Sequence, residues 1–248
     1  MEEDTAKTIK IQTGNMNDKI LCCILNYNQN EKAIAWCQRL APHFDCLILD
    51  SGSNPPCRHE HAVNLPNIFY SGLMNEAYRR CEEGGYGWLM VVTSDIEIDE
   101  KNTAKLVQAM KKVSRAKNIA MYQPCCRWSR RGRALHQSMC HFTGRMRCVN
   151  FQEGWFHMVR ADIAARLFPV DTKLNLFGWG VDVALCHFAR ISGDLIIVDD
   201  GVKVLHPKGT GYNREEAMRQ MRSWHKTIPG FVSPRHFRAN RAPIEYYE

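Results

Sequence analysis

The sequence predicts an α/β fold with a mostly parallel sheet, and three observations carry that prediction. Residues 20–25 and 47–49 are uninterrupted apolar runs separated by a segment of helical period, the strand, helix, strand rhythm of a βαβ unit. A third apolar run, Trp88-Leu89-Met90-Val91-Val92, leads into Thr93-Ser94-Asp95-Ile96-Glu97-Ile98-Asp99. It reads as a buried strand delivering carboxylates to its C-terminal end, where open α/β sheets bind ligands.

The elements follow in chain order. Residues 1–18 are expected to be a mobile leader before a single domain over 19–248. The strand at 20–25 runs into the loop Asn26-Tyr27-Asn28, and a helix from about 31 to 40 carries Ile34, Cys37 and Leu40 on one face until Pro42 stops it. The strand at 47–49 ends in Asp50-Ser51-Gly52-Ser53, and Asn54-Pro55-Pro56 marks a loop. A helix from 72 to about 81 spaces Leu73, Ala77 and Cys81 one face apart, and Gly84-Gly85 ends it. Leu106, Val107, Met110 and Val113 give a further helix. The arginine-rich stretch 127–147 has no sustained period and reads as a long loop or irregular hairpin. A short helix near 161–167, the loop 176–180, a helix from about 182 to 190 and strands at 195–198 and 202–205 complete the series. Asn213 with Glu216 three residues on predicts a capping box that opens a last helix bearing Ala217, Met221 and Trp224.

Composition narrows the class. No run approaches the roughly 18 to 20 apolar residues of a membrane span, and the first 18 residues lack the basic-then-apolar build of a secretion signal, so a cytoplasmic protein is expected. The eleven cysteines read as reduced thiols, with Cys22, Cys23 and Cys46 inside apolar runs as small hydrophobes. Cys125, Cys126, His136, Cys140, His141 and Cys148 hold enough soft ligands for zinc, but their spacing matches no common finger, which argues against it. The net charge of +7 resides in one place: from Lys101 to Gln152 there are twelve Lys and Arg residues and no Asp or Glu. A one-signed stretch repels itself and meets an anionic partner.

Five segments, in this order, resemble the family-2-type glycosyltransferases of the GT-A fold over roughly 20–212. Ile24-Leu25-Asn26-Tyr27-Asn28 is similar to the first strand and its turn, and Leu49-Asp50-Ser51-Gly52-Ser53 to the Asp-x-Gly-Ser after the second. Ser94-Asp95 stands at the metal-binding Asp-x-Asp, with Thr93 in place of its first carboxylate. Gly178-Trp179-Gly180-Val181-Asp182 resembles the Trp-Gly-x-Glu/Asp segment of the catalytic base, and His206-Pro207 with Gly209-Thr210-Gly211-Tyr212 resembles the late ligand histidine and its mobile loop.

The resemblance implies a metal-dependent, inverting transfer of a sugar from a nucleotide-diphosphate donor, by default a UDP-sugar, to an acceptor hydroxyl. Mn²⁺ or Mg²⁺ would be held by Asp95 and His206, since such cations accept carboxylate oxygen and imidazole nitrogen while neutralising a diphosphate. Asn28, Asp50, Asn75, Ser94, Asp95 and Lys208 would face the donor; Asp50, without a ligand, would be an Asx-turn residue. Asp182 would be the general base, a role compatible with capping a helix. Glu153 is the next candidate. Trp179 would stack on a sugar, and Arg127, Arg130, Arg131 and Arg133 would meet an anionic acceptor: a phosphate-bearing glycan, a lipid-linked intermediate, or DNA with a hydroxymethylated base. The rival is a GT-A-like module that binds nucleotide sugar or nucleic acid without transfer. Thr93 favours it; Asp182 together with His206 argues against it. A nucleotidyltransferase would need a glycine-rich basic loop after the first strand, which is missing.

Overall fold

The structure, a computed structural model, describes residues 17–128, 138–141, 143–207, 213–231 and 246–247. Among the described residues nine strands form one sheet: β1 (Ile20–Asn26), β2 (Asp45–Ser51), β3 (Ala62–Leu65), β4 (Trp88–Thr93), β5 (Ile119–Trp128), β6 (Met146–Cys148), β7 (Phe156–Arg160), β8 (Leu195–His206) and β9 (Tyr246–Tyr247). Their order across the sheet is β3-β2-β1-β4-β7-β5-β8-β6-β9. β1 runs parallel to β2 and β4, and β5 parallel to β8, while β7 runs antiparallel to β4 and β5. The C-terminal ends of β1, β2, β4 and β8 therefore share one rim.

Helices α1 (Asn30–Leu40), α2 (Phe69–Glu83), α3 (Glu100–Ser114), α4 (Ala161–Ala164), α5 (Val181–Ile191) and α6 (Arg214–His225) join and flank the strands. Alternate residues of β1 and β4 enter two separate cores: Cys22, Ile24, Met90 and Val92 pack with Trp36 and Met110, while Leu21, Cys23, Leu89 and Val91 pack with Leu73, Leu185 and Trp224. Covering both faces is what makes these strands continuous apolar runs rather than alternating ones. Asp99 caps α3 by accepting from the Asn102 N–H, and Asn213 caps α6 through the N–H groups of Glu215 and Glu216. Glu216 does not complete the predicted box; its carboxylate goes to Arg219 and Gln220.

Several expectations are corrected. The strands expected at 195–198 and 202–205 are one strand: the β5–β8 register jumps from Pro124↔Asp199 to Cys125↔Lys203, so Asp200-Gly201-Val202 is a bulge and not a turn. The arginine-rich stretch begins as strand β5 and returns as β6. Asn17 and Asp18, assigned to the leader, are anchored: Asn17 donates to the Gly85 carbonyl at 2.6 Å and Asp18 pairs with Arg115 at 3.3 Å. Arg147, counted with the cationic stretch, is buried and pairs in bidentate fashion with the buried Asp200 at 2.9 and 3.0 Å. All eleven cysteines are free thiols, and all but Cys148 are buried. Donor atoms of Cys125, Cys140 and Asp200 lie within 4.8 Å of one another. Asp200 is already committed to Arg147 and Thr143, and burial pushes the Cys125 thiol far up, so this trio is a packed polar core. His136 lies outside the described residues. Among the described residues no helix is long and apolar enough to cross a membrane.

Candidate active site

Three groups of side chains gather on the rim. The first ties β1 to β2. The Asn26 amide donates to Asp50 Oδ1 at 2.8 Å, Ser53 Oγ donates to the same oxygen, and the Cys57 N–H reaches Asp50 Oδ2 at 3.0 Å. Ser53 Oγ also accepts from the Asn28 N–H at 2.7 Å. Gly52 is required where it stands: its φ is 73°, and a Cβ there would lie 2.8 Å from the Asn67 nitrogen. Asp50 is buried and spends both carboxylate oxygens on shaping this corner, so the atoms it turns outward belong to the exposed Tyr27 and Asn28.

The second group lies where β4 and β8 end. His206 Nε2 stands 3.4 Å from Asp95 Oδ2, with both side chains partly open to solvent. Burial works against ionisation of Asp95, yet the His206 ring beside it holds its carboxyl below the usual value. Thr93, in place of a carboxylate, donates its hydroxyl to the Trp155 carbonyl at 3.3 Å. Ser94 is buried, and its N–H is bonded to Leu25 O at 2.9 Å. Glu97 is exposed and pairs with Lys32 at 3.2 Å. A carboxylate and an imidazole at this distance, on two strand ends, are a donor pair that a divalent cation can accept.

The third group surrounds Asp182 in the first turn of α5. Its Oδ2 accepts the Gly154 N–H at 3.0 Å and its Oδ1 accepts the Val183 N–H at 2.8 Å. Burial pushes the Asp182 carboxyl up to about 7 against these bonds, and the nearby Glu153 charge adds to the rise. Chain neighbours Val181 and Val183 bring no competing acid, but the fold brings one from residue 153. Gly178 and Gly180 have φ of 71° and 80°, and a Cβ on Gly178 would lie 2.1 Å from the Tyr70 ring. On Gly180 it would lie 2.3 Å from His225 Nε2. Tyr70 and α6 thereby clamp the turn that presents Asp182.

The segment before β7 joins the second group to the third. The Trp155 indole N–H donates to Glu153 Oε2 at 2.9 Å, and its ring lies 5.9 Å from that of His206, centroid to centroid. Tyr70 Oη donates to Gly154 O at 2.6 Å. Neither Tyr70, Gly154 nor Trp155 was singled out from sequence. The available signal was Glu-Gly-Trp directly before an apolar run, a glycine between an acid and an aromatic residue at a strand entrance.

Other expected site residues fall elsewhere. The Asn75 amide is occupied on both sides by the backbone of Val170, at 2.8 and 2.7 Å, and braces α2. Trp179 is half-buried, and its carbonyl accepts from Asn175 at 3.0 Å. Arg127 is exposed, and the β5–β8 register sets the next residue, Trp128, opposite His206. Arg130, Arg131, Arg133 and Lys208 lie outside the described residues.

Comparison with known sequence families and with characterised proteins finds no match in sequence. The fold does match. The crystal structure of GalNAc-T7 with UDP, GalNAc and Mn²⁺, a glycosyltransferase of the GT-A fold, superposes with a TM-score of 0.56 over 85% of this chain, at 10% identity. The fold is GT-A. The chain spans about half of that structure, covering 48% of its length.

Proposed function

We propose that this chain is a nucleotide-sugar-dependent glycosyltransferase of the inverting type. One observation supports it above the others: a GT-A sheet brings an Asp95–His206 pair and a carboxylate raised to about 7, Asp182, to one rim, with residues 153–155 linking them. A general base works best when its pKa lies near the working pH, and the rise at Asp182 meets that requirement. Asp182 would take the proton of the acceptor hydroxyl as that oxygen attacks the anomeric carbon. The backbone N–H groups of Gly154 and Val183 would keep its oxygens aimed as the charge changes.

Asp95 and His206 would hold the divalent cation, which supplies neutralisation of charge on the departing diphosphate. The neighbour's UDP and Mn²⁺ accord with a UDP-sugar donor beside the β1–β2 corner, near Tyr27 and Asn28. An acceptor with phosphate groups would meet the basic stretch 101–152, whose exposed Arg127 leaves the sheet beside the residue paired with His206. Mass spectrometry of products from mixed nucleotide sugars with phosphorylated glycans or hydroxymethylated DNA tests the reading. Transfer by the wild type that Asp182→Asn abolishes supports it. UDP binding with no transfer to any acceptor would turn the reading to the binding module that Thr93 favours.

A further inference from the structure

The geometry points to Phe69 and Phe177 as an aromatic corner that receives a pyranose ring of the acceptor beside Asp182, an inference that rests on the glycosyltransferase reading. Phe69 opens α2 with φ at 55°, a left-handed conformation that glycine adopts freely and an aromatic residue rarely does. Such a conformation persists where the surroundings over-determine it, and ligand clamps are one such place. Here the surroundings do so. The Ile68 N–H donates to Ser51 Oγ at 2.9 Å, the Phe69 N–H to Asn67 Oδ1 at 3.2 Å, and the Ser71 N–H to Leu176 O at 3.3 Å. The segment is thus stitched to the Asp50–Ser53 corner at one end and to the loop of Phe177 at the other.

What this strain positions is a ring left in solvent. Phe69 is 37% exposed and stands edge-on to Phe177, with centroids 5.6 Å apart and planes at 87°. The neighbouring Tyr70 packs under Gly178 and binds Gly154 O at 2.6 Å, and the Gly154 N–H holds Asp182. Each phenylalanine is therefore fixed in register with Asp182 through the residue beside it.

The shape of the corner selects the ligand. Two rings at right angles make an L, not the pair of parallel walls between which a flat, flipped nucleobase is stacked. A pyranose chair fits an L: its C–H face, weakly positive, meets the negative face of an aromatic ring, and its hydroxyls project past the edge. One of those hydroxyls would reach Asp182.

Saturation-transfer NMR with a panel of methyl pyranosides, and with hydroxymethyl-deoxycytidine as the flat competitor, tests this on the full chain. Phe69→Gly is the informative variant, because glycine is at ease at this φ and the fold is retained. At least one pyranoside should bind the wild type, weaken about tenfold in Phe69→Gly and in Phe177→Ala, and recover in Phe69→Tyr. UDP affinity with Mn²⁺ should stay the same. No pyranoside binding by the wild type, equal binding by Phe69→Gly, or preference for the nucleoside would overturn the inference. Transfer is assayed separately. Pyranoside binding that depends on Phe69 without any transfer would leave the corner standing and sink the glycosyltransferase reading. Transfer with acceptor KM unchanged in Phe69→Gly would do the reverse.

Discussion

Gly154 gives its backbone N–H to the Asp182 carboxylate at 3.0 Å, and through that bond the two chemical groups of the rim become one unit. Glu153 and Trp155 on either side of Gly154 are themselves bonded, and the Trp155 ring lies against His206. A shift of this short segment would move Asp182 and His206 together. Its carbonyl is pinned by Tyr70, so the unit is held from α2 as well.

Asp182 should show its raised pKa in two signed ways. As a base it acts ionised, so kcat/KM should rise with pH up to about 7 and level off above it. Stability runs the other way. Below about pH 4 the carboxyl is protonated in both folded and unfolded chains and costs nothing; from about 4 to 7 the unfolded chain ionises first, so stability falls as pH rises. The full penalty above pH 7 is at most about 4 kcal/mol, less for partial exposure. Asp182→Asn turns an NH₂ towards one backbone N–H, a cost of about 1 kcal/mol at any pH. Relative to wild type, its Tm should be clearly higher at pH 8 than at pH 4. An equal difference at both pH values would mean that the carboxyl is not raised, whereas loss of transfer of about 10² or more with donor affinity kept would confirm the base.

Gly178→Ala should be severe. Its Cβ would sit 2.1 Å from the Tyr70 ring at a φ of 71°, so either the turn or α2 must move. A loss of roughly 3 kcal/mol or more is expected from overpacking together with backbone strain. The double variant Gly178→Ala with Tyr70→Ala should recover the steric part and leave the strain, which urea unfolding can separate. Full additivity of the two single losses would show that the rings do not collide.

The parts of this fold written by burial on both faces were legible in sequence: β1, β4 and the apolar faces of α2 and α3 announced themselves as runs and periods. The edge strand β3 was not, because its four residues are half-exposed and carry no run. β7 was hidden differently. Its five buried residues include His157 and end in Arg160, whose guanidinium is neutralised by Asp162 and Asp194, and the chain enters α4 at once. In the site, Asp95, Asp182 and His206 were visible because strand ends and a helix start place them in a recognisable order. Gly154 and Tyr70 act through backbone atoms and one hydroxyl across 84 residues of chain, and nothing local marks such a contact.

Metal dependence should localise to the rim pair. Calorimetric titration of UDP should show tighter binding with Mn²⁺ than without it, and Asp95→Ala should remove that difference while leaving the metal-free affinity largely intact. His206→Ala should weaken it by the same route. Asp95 and His206 would hold the cation that neutralises diphosphate charge, so removing one of them should forfeit the affinity that the metal adds. Equal UDP affinity with and without Mn²⁺ in the wild type would rule out a metal held by this pair.

The two arginines at 127 and 147 should behave as opposites although one basic stretch contains both. Arg147 is buried against Asp200, so Arg147→Ala strands a carboxylate in the core and should cost about 3 to 5 kcal/mol. Replacing both partners by apolar residues, Arg147→Met with Asp200→Leu, should return much of that loss, because the pair's own desolvation cost goes with it. Arg127 is exposed at the end of β5, so Arg127→Ala should leave the unfolding free energy within about 0.5 kcal/mol of wild type. If Arg127 meets an acceptor phosphate, apparent acceptor affinity should fall with rising salt, and the slope of log K against log salt should become shallower by roughly 1 in Arg127→Ala. A flat salt response in the wild type would assign the acceptor no charge at this position, and Arg127 would then be a solvated residue of the strand end.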